Sequence, residues 1–271
     1  MELWEAIVLG FVQGLTEFLP VSSSGHLTLG KAILGITEKG ILFEVIVHLG
    51  TLLAVFTAFW KDIIWLLNGC LAFVTGRKEK EQQETGSRPA LNYAGYIIIA
   101  TLPAVFVGLF LKDYVERAFN DPLLACYMLL LTGVILAFSR LGLKSRGAVT
   151  GRTGFLIGIS QAFAILPGIS RSGSTIATGM LLGIEREAAA RFSFLMAIPA
   201  IGGAFVLQLK DLVDAPPDQA YMLALAAGFV VSYVSGLGAI KVLMKLVRIG
   251  RFDYFAWYCF AVGLLGIYLL N

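Results

Sequence analysis

Four ionisable residues lie where the surrounding sequence is otherwise apolar: Glu17, His26, Glu44 and Arg171. A charge at membrane depth is costly and marks a functional site by default. Glu17 and His26 flank the run Phe18-Leu19-Pro20-Val21-Ser22-Ser23-Ser24-Gly25, and Arg171 lies inside Pro167-Gly168-Ile169-Ser170-Arg171-Ser172-Gly173-Ser174-Thr175. The fork of donors on an Arg matches a phosphate. Ser- and Gly-rich turns at helix starts offer hydroxyls and backbone N–H groups to an anion. Glu17 has the wrong sign to hold phosphate by itself. It suits a general base or acid, a partner for His26, or a ligand for a divalent cation. A Ser beside His and Glu becomes a nucleophile, and His can itself accept a phosphoryl group. Taken together, the set fits phosphoryl transfer by clamp, nucleophile, base and metal.

Simpler roles compete. Arg171 could tie down helix ends, and Ser in apolar helices often bonds back to carbonyls. Gln13 is one turn before Glu17 and faces the same way, so it could orient Glu17 or a ligand oxygen. Glu44 and His48 share one helix face and either line the cavity or bond each other.

These residues need a membrane scaffold. The chain is 58% hydrophobic and only 14% charged, with a mean hydropathy of +0.81. A soluble domain is nearer 25% charged, so an ordinary cytosolic, fibrous or disordered protein is excluded. Met1 to Leu19 opens on Glu2 and Glu5, not Lys or Arg, and reads as retained sequence rather than a cleaved signal. Cys70, Cys126 and Cys259 lie in apolar stretches without metal spacing and read as small buried hydrophobes.

A spanning helix needs roughly 20 mostly apolar residues. Six segments qualify: 41–60, 91–111, 122–139, 190–209, 221–243 and 252–270. Two further apolar stretches, 3–36 and 153–184, are interrupted by Pro, Gly and Ser. Non-helical backbone at that depth survives only inside protein or beside a wet cavity, so both read as re-entrant helix-loop-helix hairpins. Residues 62–75 are too short to span and read as interfacial, and 76–90 form a solvated loop. The expectation is an all-α polytopic membrane protein forming one domain over 1–271.

The chain also repeats itself. At an offset of 148 positions Gly10, Gln13, Ser22, Ser24 and Gly25 meet Gly158, Gln161, Ser170, Ser172 and Gly173, and Leu34-Gly35-Ile36 meets Leu182-Gly183-Ile184. Repeat 1 covers about 1–140 and repeat 2 about 153–271. Each is one hairpin plus three spans, an odd number of crossings, so the second half sits inverted relative to the first. Alternation gathers 15 Lys and Arg on the side holding 61–90, 140–152, the 185–191 turn and 241–251, against 5 on the other, with Arg171 left in its break. The positive-inside rule makes the richer side cytoplasmic. Both termini and the mouth of the first hairpin then face outward.

The stretches Gln13-Gly14-Leu15-Thr16-Glu17-Phe18-Leu19-Pro20-Val21-Ser22-Ser23-Ser24-Gly25-His26 and Pro167 to Thr175 resemble the two signature motifs of bacterial undecaprenyl-diphosphate phosphatases. This membrane-integral family is also linked to bacitracin resistance, and the resemblance runs along nearly the whole chain. The first motif opens with Glu or Gln, so Gln13 is its neutral variant. The resemblance implies cleavage of the terminal phosphate of undecaprenyl diphosphate at the outer face of the bacterial plasma membrane, which recycles the lipid carrier for cell-wall synthesis. It implies a divalent cation, magnesium or calcium, with Glu17 a metal-ligand candidate. Carried over by motif, the catalytic positions are Glu17, Ser23, His26 and Arg171. The phosphate-binding neighbours are Gln13, Ser22, Ser24, Ser170, Ser172 and Thr175. On this reading Ser23 attacks with His26 and Glu17 as its proton relay; His26 itself or a metal-activated water are the other candidate nucleophiles. No nucleic-acid partner is expected. Gly228, Gly236 and Gly238 permit close helix packing within one chain or in a homodimer. The competing class is a flippase for a polyprenyl phosphate, using the same groups for binding alone.

Overall fold

The computed structural model describes residues 1–34, 42–76, 90–214 and 219–270. Among them the regular structure is helical: α1 Leu3–Phe18, α2 Ser23–Leu34, α3 Leu42–Ala58, α4 Trp60–Val74, α5 Ala90–Phe110, α6 Lys112–Phe119, α7 Pro122–Ser139, α8 Gly151–Phe163, α9 Arg171–Leu181, α10 Arg186–Asp214, α11 Gln219–Ile249 and α12 Phe255–Leu270. The expected loop 76–90 lies almost wholly outside the described residues.

Helix starts follow from local chemistry. Glu2 and Glu5 form a capping box at α1, Asp121 caps α7 ahead of Pro122, and Thr150 with Thr153 caps α8. Each satisfies N–H groups that would otherwise be orphaned in an apolar setting. The 185–191 turn expected from sequence is shorter than that: α10 already begins at Arg186, and Glu185 accepts from the Ala188 N–H as its cap. The charges at 185–191 are thus largely helical.

Four helical segments, Ala90–Phe110, Pro122–Gly142, Tyr221–Ile249 and Phe252–Leu270, are long and apolar enough to cross a bilayer. They coincide with the expected 91–111, 122–139, 221–243 and 252–270. The segment expected at 190–209 lies within α10. The segment expected at 41–60 is not a straight span by itself. Its helix α3 stops at Ala58, and α4 leaves at a bend of 79°. At that angle α4 runs across the direction of α3, and the two helices together are long and apolar enough for one broken span. Asp62 on α4 is tied to Arg191 on α10, N to O 3.2 Å.

Both interrupted stretches are broken, but more narrowly at the far end than the motifs suggest, since Ser23–His26 and Arg171–Thr175 are already helical. The first divides into α1 and α2 around residues 19–22, and the second into α8 and α9 around residues 164–170. The longest of the four helices has 16 residues, below the roughly 20 a span requires. Each hairpin is clamped to a long apolar helix by small residues. A Cβ on Gly10 would lie 2.7 Å from the Gly228 carbonyl oxygen of α11, and one on Gly158 would lie 2.3 Å from the Ala100 carbonyl oxygen of α5. Only glycine permits these approaches. Phe18 at the end of α1 meets Phe194 edge-on at 5.6 Å, and Phe194 in turn packs on Phe59. The end of α1 is thereby fixed in the core.

Candidate active site

The two breaks meet tip to tip. A Cβ on Gly25 would lie 3.1 Å from the Gly168 Cα, and one on Gly173 would lie 3.2 Å from the Pro20 Cβ. Ser172 Oγ reaches across to donate to the Leu19 carbonyl at 3.4 Å. Two backbones that have left the helical ladder are thus packed against each other.

Glu17 sits at this junction, buried, on the last turn of α1. Arg171 Nη2 donates to its Oε1 at 2.6 Å. Ser23 Oγ donates to its Oε2 at 2.7 Å, and Gln13 Nε2 donates to the same oxygen at 3.0 Å. Gln13 reaches Glu17 because the two are one turn apart on one face. Ser23 and Arg171 reach it because each is the first residue of the helix after its break, α2 and α9 respectively. The offset of 148 that aligns the two motifs pairs these two residues with each other. Arg171 uses a second donor, Nη1, on the Ser193 carbonyl at 3.4 Å, which leaves donor capacity in the guanidinium for an oxyanion. The arrangement holds a hydroxyl against a carboxylate, the pairing that activates a nucleophile, next to a fork suited to phosphate.

His26 is not part of this network. Its Nδ1 lies 2.8 Å from the Ser22 carbonyl and its Nε2 lies 2.8 Å from the Tyr258 hydroxyl. The relay expected from Ser23 through His26 to Glu17 is therefore replaced by a direct bond from Ser23 to Glu17. The physical reason is helical geometry: His26 is four residues after Ser22 and turns back onto that carbonyl. The imidazole that does face Glu17 is His48, with Nε2 3.6 Å from Oε2 and Nδ1 2.6 Å from the Glu44 carbonyl. His48 thus bonds the backbone of Glu44. A polar pair at i, i+4 on an otherwise apolar helix was its sequence signal, but only packing reveals which residue it faces. Tyr258 carried no such signal.

The hydroxyls divide by role. Ser22 Oγ accepts from the Gly25 N–H at 3.2 Å and contacts Ser24 Oγ at 3.2 Å. Ser170 Oγ accepts from the Gly173 N–H at 3.0 Å and contacts Ser172 Oγ at 3.3 Å. Ser22 and Ser170 therefore cap α2 and α9 in the same manner. Thr175 donates to the Arg171 carbonyl and pairs with Ser193, each at 2.7 Å, so its hydroxyl serves the α9–α10 contact. Among the described residues no group of three or more His, Cys, Asp or Glu could hold a metal ion. Gln13 Oε1, one turn before Glu17, is buried and without a hydrogen-bond partner, as are Gln161 Oε1 and Nε2 and Ser174 Oγ in the second motif's hairpin.

Comparison with known proteins places the chain in a family. The family model described as bacitracin resistance protein BacA matches residues 6–265. The chain is 42% identical to the undecaprenyl-diphosphatase of Methanosphaera stadtmanae, covering 99% of this chain and 98% of that protein. It is 39% identical to that of Salinibacter ruber over the full length of both, and 43% identical to that of Desulforapulum autotrophicum, covering 98% of each. With both motifs meeting at one buried carboxylate and the match extending over nearly its whole length, this chain belongs to the bacitracin resistance protein BacA family.

Proposed function

We propose that this chain hydrolyses undecaprenyl diphosphate to undecaprenyl phosphate and inorganic phosphate, recycling the lipid carrier and conferring bacitracin resistance. The observation that carries the reading is the Ser23 hydroxyl bonded to Glu17 while Arg171 holds the other carboxylate oxygen. A protein that only bound and moved the headgroup would have no need of a carboxylate-bonded serine. The names of the full-length relatives point the same way.

In the proposed mechanism, Arg171 and the N–H groups at the starts of α2 and α9 receive the phosphates. Ser23 Oγ attacks the terminal phosphorus, and its proton passes to Glu17 Oε2. The bond from that phosphorus to the bridging oxygen breaks, and undecaprenyl phosphate leaves as an anion. Water then attacks the phosphoserine and the bond from phosphorus to Ser23 Oγ breaks; Glu17 returns its proton to Ser23 Oγ, and the water's protons leave with the phosphate. Gln13 keeps Glu17 aimed at Ser23 throughout.

The magnesium or calcium ion would be held by Glu17 and the unpartnered Gln13 Oε1, with the diphosphate completing its shell. Hard oxygen donors suit such cations, and one or two protein carboxylates with substrate phosphates are a common set for magnesium. When bound, the ion would neutralise phosphate charge.

For the scaffold, we propose six spans and two re-entrant hairpins as an inverted repeat in the plasma membrane, with the site and both termini outward. The matching helix starts support it, since Leu3 and Gly151, like Ser23 and Arg171, are 148 apart. The excess of basic residues on one side supports the orientation. The test is phosphate release from undecaprenyl diphosphate by detergent-purified protein, with EDTA and after magnesium or calcium is restored. Cation-dependent release supports the reading. Lipid movement across sealed vesicles without phosphate release would replace it with transport.

A further inference from the structure

The helix α12 touches the first break through two consecutive residues. The Tyr258 hydroxyl lies 2.8 Å from His26 Nε2, and the Cys259 thiol donates to the Pro20 carbonyl at 3.6 Å. The His26 and Tyr258 rings are within 10° of parallel, centroids 5.6 Å apart. A carbonyl only accepts, so His26 Nδ1 carries the hydrogen it gives to Ser22; in the neutral ring Nε2 is then the acceptor and Tyr258 the donor. The bonds form one directed line: Tyr258 to His26, and His26 to the Ser22 carbonyl, which also takes the His26 N–H at 3.2 Å.

That line ends on a strained residue. Ser22 has φ of +68°, the one non-glycine residue at positive φ among those described. Such a conformation persists only where its surroundings over-determine it, and it clusters at active sites. Ser23, whose hydroxyl meets Glu17, is the next residue. The direction in which Ser23 leaves the break is thus set by the peptide that Ser22 holds.

We propose that Tyr258 is a positioning residue for the nucleophile, acting through His26 to hold the strained Ser22 turn from which Ser23 projects. This assigns His26 a role in orienting the turn, and it rests on the phosphatase reading with Ser23 as nucleophile. Misplacing a reacting atom by about an ångström can cost a hundredfold in rate; loss of one bond in an otherwise intact turn should cost about tenfold.

The test uses the full-length protein in detergent micelles and compares wild type with Tyr258→Phe, His26→Asn and the double variant. The Phe keeps the ring and loses only the hydroxyl. The Asn retains an N–H near the Nδ1 position for the Ser22 carbonyl but loses the reach to Tyr258. The expected result is a kcat about tenfold lower for Tyr258→Phe, with KM and melting temperature unchanged, and a double variant no slower than His26→Asn. Full kcat in Tyr258→Phe would overturn the proposal. So would losses that multiply in the double variant, or a loss that tracks a fall in melting temperature. An inactive wild-type protein would instead remove the phosphatase reading on which the proposal stands.

Discussion

The two breaks have the same construction and different contents. Each ends with a serine that caps the following helix, Ser22 for α2 and Ser170 for α9. Each then places its first helical residue at the buried junction. In the first break that residue is Ser23, with Glu17 behind it; in the second it is Arg171. One break thus brings a hydroxyl and a carboxylate to the junction and the other a guanidinium. Their backbones differ as well. The second break turns at Gly168, with φ of +91°, where a positive φ has little cost. The first turns at Ser22, where it costs about 1–2 kcal/mol. The bracing follows that difference. Thr132 of α7 holds the second break directly, donating to the Gly168 carbonyl at 2.8 Å and accepting from the Ser170 N–H at 3.0 Å. The first is held from α12 in two ways: Cys259 donates to the Pro20 carbonyl at 3.6 Å, and Tyr258 reaches the Ser22 carbonyl through His26. The strained break, braced by His26 and Tyr258, presents Ser23; the relaxed one, braced by Thr132, presents Arg171.

The largest effect separating the breaks is expected at Gly168. A Cβ there would lie 2.1 Å from the Ala125 carbonyl oxygen, and the positive φ adds strain. Gly168→Ala should cost roughly 4 kcal/mol or more and abolish recovery of folded protein. Gly25→Ala, whose nearest obstacle is at 3.1 Å, should remain purifiable, and size-exclusion chromatography of the two variants makes the comparison. Arg171→Ala should lower phosphate release at least about a hundredfold, near 3 kcal/mol in transition-state stabilisation. It also strands a buried carboxylate, so Arg171→Lys is its control: charge is kept and the fork lost, and the rate should still fall well below wild type. Gln13→Ala should cost about tenfold, with a higher cation concentration needed for half-maximal rate. The smallest effect sharpens the contrast between the caps. Ser170→Ala should destabilise by about 1 kcal/mol. Ser22→Gly should leave stability nearly unchanged, because relieved strain offsets a slightly weaker cap, while kcat falls. Equal melting-temperature losses in both would mean that the first break stores no strain.

Much of this site is legible in sequence because charge and hydroxyls at membrane depth are rare enough to stand out. Glu17, Ser23 and Arg171 are all found that way, and their convergence follows from two hairpins broken at equivalent places. One span's extent is equally accessible, since the expected 122–139 coincides with α7, whereas α10 and α11 run past the expected 190–209 and 221–243. What periodicity could not supply is the direction of side chains after packing. His26 and His48 each turn Nδ1 back onto the carbonyl four residues earlier, but α3 carries the other nitrogen of His48 to Glu17 while that of His26 meets Tyr258. Tyr258 is 232 residues from its partner, and a tyrosine in an apolar span carries no mark of such a contact. The hydroxyls of Ser170 and Thr175 show the same limit: their types suggest phosphate, and only the structure shows that Ser170 caps α9 and Thr175 bonds the Arg171 carbonyl and Ser193.

The central claim is that Ser23, activated by Glu17 and faced by Arg171, carries the phosphoryl group. Its most direct test is phosphate release from undecaprenyl diphosphate by purified Ser23→Ala beside wild type at equal cation concentration. The account predicts a loss of at least about a thousandfold in a variant that still folds, since the Glu17–Arg171 pair remains. Near-normal turnover by Ser23→Ala would contradict it and leave water as the attacking group.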